Sequence, residues 1–238
     1  MLQHEIKAGV ATLTLNRPEK GNALSSELVE ALIEGVARTL DDGALHTLVI
    51  TAAGKHFCTG FDLSNLAASS DGDLLHRFVR VEQLLQAVWR APIRTVALVQ
   101  GRAWGAGADL FATCEQRLCA PDTTFRFPGT RFGLVLGTRR LSERVGGDIA
   151  RRWLLAGAEV GSAEALDAGL ATGVMTADQR QAAAAALSAP PLDRETGAAI
   201  RSLTRHDDDD RDLAELVRSA VRSGLKERIG QYVAGLRR

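Results

Sequence analysis

Two short glycine-containing segments and one acid are the residues here whose type and spacing can do chemistry. Gly60-Phe61 follows the extended piece His56-Phe57-Cys58, and Gly105-Ala106-Gly107 opens a helical stretch. A strand that ends in a small-residue turn presents consecutive backbone N–H groups, and a helix N-terminus does the same with the positive end of its dipole. If the fold brings the two together, their N–H groups converge on one oxygen. That suits an oxygen gaining negative charge during a reaction, at about 3–4 kcal/mol per donor in the transition state. Asp109, in the first turn of the same helix, is the acid/base candidate. Taken singly, each glycine serves equally well in a turn or a close packing contact, and Asp109 serves equally well as a charge at a helix N-terminus.

Other chemistries find less support. Gly101, Gly105 and Gly107 follow G-x-x-x-G-x-G, which is neither a dinucleotide fingerprint nor a phosphate loop. Cys58, Cys114 and Cys119 lack metal-ligand or disulfide spacing and read as reduced, mostly buried thiols. Twenty-nine basic residues balance twenty-nine acidic ones in 238 residues, so no global field attracts nucleic acid or an anionic membrane. No apolar run reaches membrane-spanning length, and Met1–Glu5 lacks the basic and apolar regions of a secretion signal, so a soluble cytoplasmic protein is expected. Asp207–Asp210 reads as a solvated acidic linker rather than a metal site.

The elements that must position these residues alternate. Val10–Leu15, Thr47–Thr51, Thr95–Val99 and Arg117–Ala120 are strand-like, and Thr123–Phe127 is expected to pair beside the last of them. A helix capped by Ser25 or Ser26 carries the stripe Leu28, Leu32, Val36, Leu40, and a second runs from Asp71 to Trp89. Helices are also expected over Arg139–Val145, Ile149–Leu155, Ser162–Ala168 and the alanine-rich stretch 181–189. This alternation predicts an α/β core with parallel pairing. Pro190-Pro191 marks a boundary, giving a core over 1–189 and a helical segment over 190–238 for covering the core and for oligomerisation.

Three segments together resemble the crotonase (enoyl-CoA hydratase/isomerase) family: Leu15-Asn16-Arg17-Pro18-Glu19-Lys20-Gly21-Asn22-Ala23-Leu24, Gly54–Leu63 and Gly101–Leu110. The resemblance implies a spiral of ββα units with a helical C-terminal segment, acting on acyl-CoA thioesters, as in fatty acid metabolism. It implies N–H donors at Phe61 and Ala106 for a thioester enolate. It assigns coenzyme A contacts to Asn22, Ala23, Leu24, Lys55, His56, Thr59, Gly60, Phe61, Gly105 and Ala106, and to Tyr232 reaching in from a neighbouring subunit. It further implies a homotrimer or dimer of trimers. No cofactor is expected beyond the coenzyme A of the substrate itself, and no metal.

The resemblance fails at the acids. Family hydratases hold water between two glutamates; here the first position is Asp109, one methylene shorter, and the second is Gly129. A shift in reach of that kind costs about a hundredfold where alignment matters. The loop after Gly129 is also about three residues short by the same comparison. Asp109 is therefore the one retained acid/base of an isomerase- or lyase-like enzyme, or the chain is a binding protein that has lost its acids. Thr130, Arg131, His56 and His76 are weaker candidates for polar roles, and Trp104 is expected to wall the acyl pocket. Gly21 stands where the family often has a basic residue, for which Arg237 and Arg238 are possible substitutes.

Overall fold

The alternating pattern of Val10–Leu15 (β2) buries Ala11, Leu13 and Leu15 completely, and the strand sits inside a sheet rather than at its edge. The edge is Leu2–Lys7 (β1), paired antiparallel to β2; its mostly polar, exposed residues gave no strand pattern to read in sequence. Thr47–Ala52 (β3), Arg94–Val99 (β4), Gln116–Cys119 (β6) and Gly173–Val174 (β9) continue from β2, all parallel, in the order β1-β2-β3-β4-β6-β9. A smaller sheet orders Arg102–Trp104 (β5), Thr124–Arg126 (β7) and Glu159–Gly161 (β8). The computed structural model describes residues 1–176, 178–179 and 192–236. The alanine-rich stretch 181–189, the Pro190-Pro191 boundary, Arg237 and Arg238 lie outside them.

Parallel strands need crossovers, and helices supply them. Ser26–Asp41 (α1) starts on the Ser25 hydroxyl, which accepts from Leu28 N–H at 3.3 Å, and buries Leu28, Leu32 and Val36 against the sheet. Asp71–Trp89 (α2) starts on a capping box: Ser70 and Asp73 each accept from the other's backbone N–H. Ala106–Thr113 (α3) follows β5 and is buried along its whole length. Thr138–Val145 (α4), Gly147–Ala156 (α5) and Ser162–Asp167 (α6) complete the first core. Arg194–Leu203 (α7), Asp209–Ala220 (α8) and Leu225–Gly235 (α9) form the C-terminal region. The last two pack Leu216, Ala220, Leu225 and Ile229 against Leu74 and Phe78 of α2 in a second apolar cluster, so this stripe covers the chain's own core.

Two expectations need correction. Thr124–Arg126 pairs with β5 and β8 and not with β6, because the turn at Ala120–Thr123 carries it into the smaller sheet. The acidic run is not simply a solvated linker: Asp208 and Asp210 are exposed, but Asp209 is buried. Its carboxylate meets Arg139 and Arg140 at 3.1 Å each and also Arg90, while Arg140 holds Glu82 of α2 bidentately at 2.7 and 3.2 Å. Asp212 joins at 2.8 Å from Arg139. Residues from α2, α4 and α8 are thereby locked together by charge in a site from which water is excluded.

Deleting one partner of such a pair strands the other. Arg140→Leu is therefore expected to cost about 3–5 kcal/mol of stability, whereas Arg38→Leu, which breaks the exposed pair with Glu34, should cost less than about 1 kcal/mol. Urea denaturation of the two variants checks the contrast.

Candidate active site

The first turn of α3 lies directly against the extended segment that follows β3. Phe57 N–H donates to Gln100 O and Cys58 N–H to Arg102 O, while Trp104 N–H returns to Cys58 O at 2.9 Å. On the other side Thr59 N–H donates to Gly21 O, Leu24 N–H to Gly60 O and Asp62 N–H to Leu24 O. Residues 57–62 are thus held between the Asn-Arg-Pro segment and the glycine segment. Gly107 permits the contact: a Cβ there would stand 2.7 Å from both the Cβ and the carbonyl oxygen of Cys58. Gly60, at φ 101°, turns the chain beside Trp104 O, which a Cβ would meet at 3.0 Å. The Cys58 thiol, pushed up to about 12 by burial, is locked in this packing.

This arrangement leaves two backbone donors without acceptors. Among the described residues neither Phe61 N–H nor Ala106 N–H makes a hydrogen bond, although Gly105 N–H between the two segments is taken by Arg126 O at 2.7 Å. Phe61 and Ala106 line the same cavity of about 260 Å³, together with Thr59, Gly60, Gly105 and Asp109. The Phe61 ring is stacked on Phe78 at 4.1 Å and covered by the Arg77 guanidinium at 4.1 Å, which fixes its peptide. Its lining includes the apolar side chains Leu63, Phe78, Leu134 and Leu136 and also Arg102, Trp104 and Arg126.

Asp109 is the carboxylate of this cavity. It is 6% exposed, and burial pushes its carboxyl well above the usual range, with the nearby Glu82 charge adding to the shift and Arg140 opposing it. Gly137, the residue before α4, packs against it; a Cβ at Gly137 would lie 2.3 Å from Asp109 Oδ1. Gly129 also lines the cavity, within the short helical turn Pro128–Phe132, and contributes no side chain.

The other expected residues divide clearly. Tyr232 lines the cavity from α9 of the same chain, its ring 5.5 Å from Phe132, because α8 and α9 fold back onto α2. Asn22, Ala23, Leu24, Lys55 and His56 are not among the cavity-lining residues. Asn22 is fully buried and donates to Ala53 O and His56 O while accepting from Arg17 N–H. His56 Nδ1 accepts from Arg102 N–H at 3.2 Å, and burial, then Arg102 and Lys55, lower its basicity. Thr130 lines the cavity but its hydroxyl donates to Leu154 O, and Arg131 donates to Ala156 O, so both brace α5. Two partnerships escaped the sequence reading. Arg17 pairs with Asp62 at 3.0 Å and ties two of the three recognised segments together. Arg77 donates to Asp62 O at 2.7 Å. A basic and an acidic residue at fixed places in two motifs was the available signal for the first; nothing in sequence announces the second.

Two backbone N–H groups at a strand–helix junction and one buried acid thus line one cavity. The family model for enoyl-CoA hydratase/isomerase matches residues 5–230, and the chain belongs to this, the crotonase family. A crystal structure of a Bordetella parapertussis protein described as an enoyl-CoA hydratase/isomerase is 45% identical, with a TM-score of 0.95 and 98% of each chain covered. The Mycobacterium bovis protein named probable enoyl-CoA hydratase echA6 is 38% identical over 182 residues, 75% of this chain and 72% of that one. The ethylmalonyl-CoA decarboxylase of Mus musculus is 36% identical over 173 residues, 70% of this chain and 53% of that one.

Two measurements follow from the geometry. Gly107→Val, which puts side-chain atoms into the Cys58 backbone, should lose acyl-CoA binding while the far-UV circular dichroism is retained; Gly43→Val, where a Cβ meets nothing within 4 Å, should bind as the parent does. The second concerns pH. A carboxyl whose pKa is raised on folding contributes stability at low pH that is lost as pH rises through the folded value. Asp109→Asn should therefore stabilise the protein, and the gain in Tm should be larger at pH 8 than at pH 5.

Proposed function

We propose that the chain binds acyl-CoA thioesters with the thioester oxygen on Phe61 N–H and Ala106 N–H, and that Asp109 is the one acid/base of an isomerase- or lyase-like reaction. The observation that carries the reading is the pair of unbonded backbone donors lining one cavity with one buried carboxylate. Binding of the carbonyl there stabilises the enolate formed when the α-carbon loses a substituent, because two fixed donors meet charge where water is excluded. Asp109 then moves the proton. In an isomerisation it takes a proton from the α-carbon, the electron pair passes into the thioester carbonyl, and the same proton returns to the γ-carbon as the carbonyl re-forms. Its raised pKa brings it nearer neutrality, where a carboxyl both accepts and returns a proton effectively.

Two-carboxylate hydration does not fit, since Gly129 offers nothing to hold the water. A relative named for decarboxylation agrees with chemistry that needs an enolate site and one proton donor. The second reading, a protein that binds acyl-CoA without turning it over, is favoured by one observation: Asp109 is packed against Gly137 and held largely away from solvent.

Purified protein offered crotonyl-CoA, a 3-enoyl-CoA and a saturated acyl-CoA separates the two. The enzyme reading expects turnover of the 3-enoyl-CoA that falls about a hundredfold or more in Asp109→Asn, with hydration of crotonyl-CoA weak. No turnover above background in either protein, with acyl-CoA still bound, leaves the binding reading standing alone.

A further inference from the structure

The cavity wall holds two cations on one aromatic plate. Trp104 and Arg126 are register partners in the small sheet, and Arg102, two residues before Trp104, projects from the same face. The Arg102 guanidinium lies 4.5 Å from the Trp104 ring centroid and that of Arg126 lies 5.1 Å from it, while the indole N–H is fixed on Thr124 Oγ1 at 3.1 Å. Among the described residues neither guanidinium has a carboxylate partner or donates a hydrogen bond. Arg17, Arg77, Arg131, Arg139 and Arg140 around them all do. Stacking on an indole orients a guanidinium without neutralising it and leaves its edge donors free for an anion.

We infer that Arg102 and Arg126, clamped on Trp104, form a subsite for a carboxylate carried by the acyl group, so that the preferred ligands are acyl thioesters bearing a second carboxylate. The inference rests on the thioester-binding reading above. The backbone of the clamp adjoins the donor segment, which favours the acyl group over coenzyme A's phosphates. Trp104 is two residues from Ala106, a Cα separation of at most about 7 Å, and Arg126 O accepts from the Gly105 N–H next to that donor. The phosphates of a bound coenzyme A are separated from its thioester by the whole pantetheine arm. The apolar part of the lining, with Leu63, Phe78 and Leu136, takes the uncharged part of the same acyl group.

The test is calorimetric, on the full chain, with butyryl-CoA against succinyl-CoA and ethylmalonyl-CoA. At least one carboxylated thioester should bind about tenfold or more tightly than butyryl-CoA, the ratio that corresponds to about 1.4 kcal/mol. That ratio should collapse towards one in Arg126→Gln and in Arg102→Gln, and be partly kept in Arg126→Lys; melting curves verify that each variant folds. The same preference should survive with butyryl- and succinyl-pantetheine, which carry no phosphate. Equal affinities in the parent protein overturn the inference, as does a preference that disappears with the pantetheine thioesters, which assigns the clamp to phosphate. Binding of butyryl-CoA with no carboxylate preference sinks this subsite alone, whereas no binding of any thioester sinks the proposed function with it.

Discussion

The rest of the site depends on one steric allowance, the approach of the α3 N-terminus to the backbone of Cys58. Only a residue without a Cβ fits at Gly107, because a methyl group would overlap the Cys58 carbonyl and side chain. With that contact made, the N–H groups of Ala106 and Phe61, both residues of the cavity wall, are left without a hydrogen bond among the described residues, while Gly60, Asp62 and Gly105 beside them are paired. Hydrogen bonds on both flanks, to Gly21 and Leu24 and to Arg102 and Trp104, prevent the strand from relaxing to satisfy its own donor. Unpaired amides in a largely buried place are costly, and such a cost persists where a ligand removes it.

The buried charges give the site its second property. Glu82, Arg140, Asp209, Asp212 and Arg139 join three helices behind Asp109, and the Glu82 carboxylate disfavours a second negative charge on Asp109. Burial is the larger cause of the raised pKa of Asp109; within the network that contributes to holding α2, α4 and α8 together, Glu82 adds to it and Arg140 opposes it. The clamp on Trp104 belongs to the lining of the same cavity, and neither of its guanidinium groups has a carboxylate partner among the described residues. Cations, apolar side chains, the backbone donors and the acid therefore share one cavity wall.

Much of this was legible in the residues. Helix α2 runs from Asp71 to Trp89 as its apolar stripe placed it, and β2, β3 and β4 follow their alternating or β-branched patterns. The two glycine segments and Asp109, which the structure brings to one cavity, were singled out by glycine spacing and helix position, and the resemblance named Phe61 and Ala106 within them. Features that depend on long-range partners were not. β1 carries no apolar alternation and exists through its pairing with β2. Asp209 looked like its exposed neighbours because burial of an acid depends on which arginines arrive from elsewhere. The placement of Tyr232 depended on how the terminal helices fold back, which an amphipathic stripe leaves open. The arginine clamp was invisible for the same reason: Arg126 meets Trp104 only through the pairing of β5 with β7.

The central claim is that two backbone donors polarise a bound thioester carbonyl, and isotope-edited infrared spectroscopy reads that directly. With a carbonyl-13C acyl-CoA bound to the protein, the thioester band should shift to lower frequency than in water, and the shift should be absent in Gly107→Val. A bound thioester whose carbonyl band stays at or above its position in water would contradict the account.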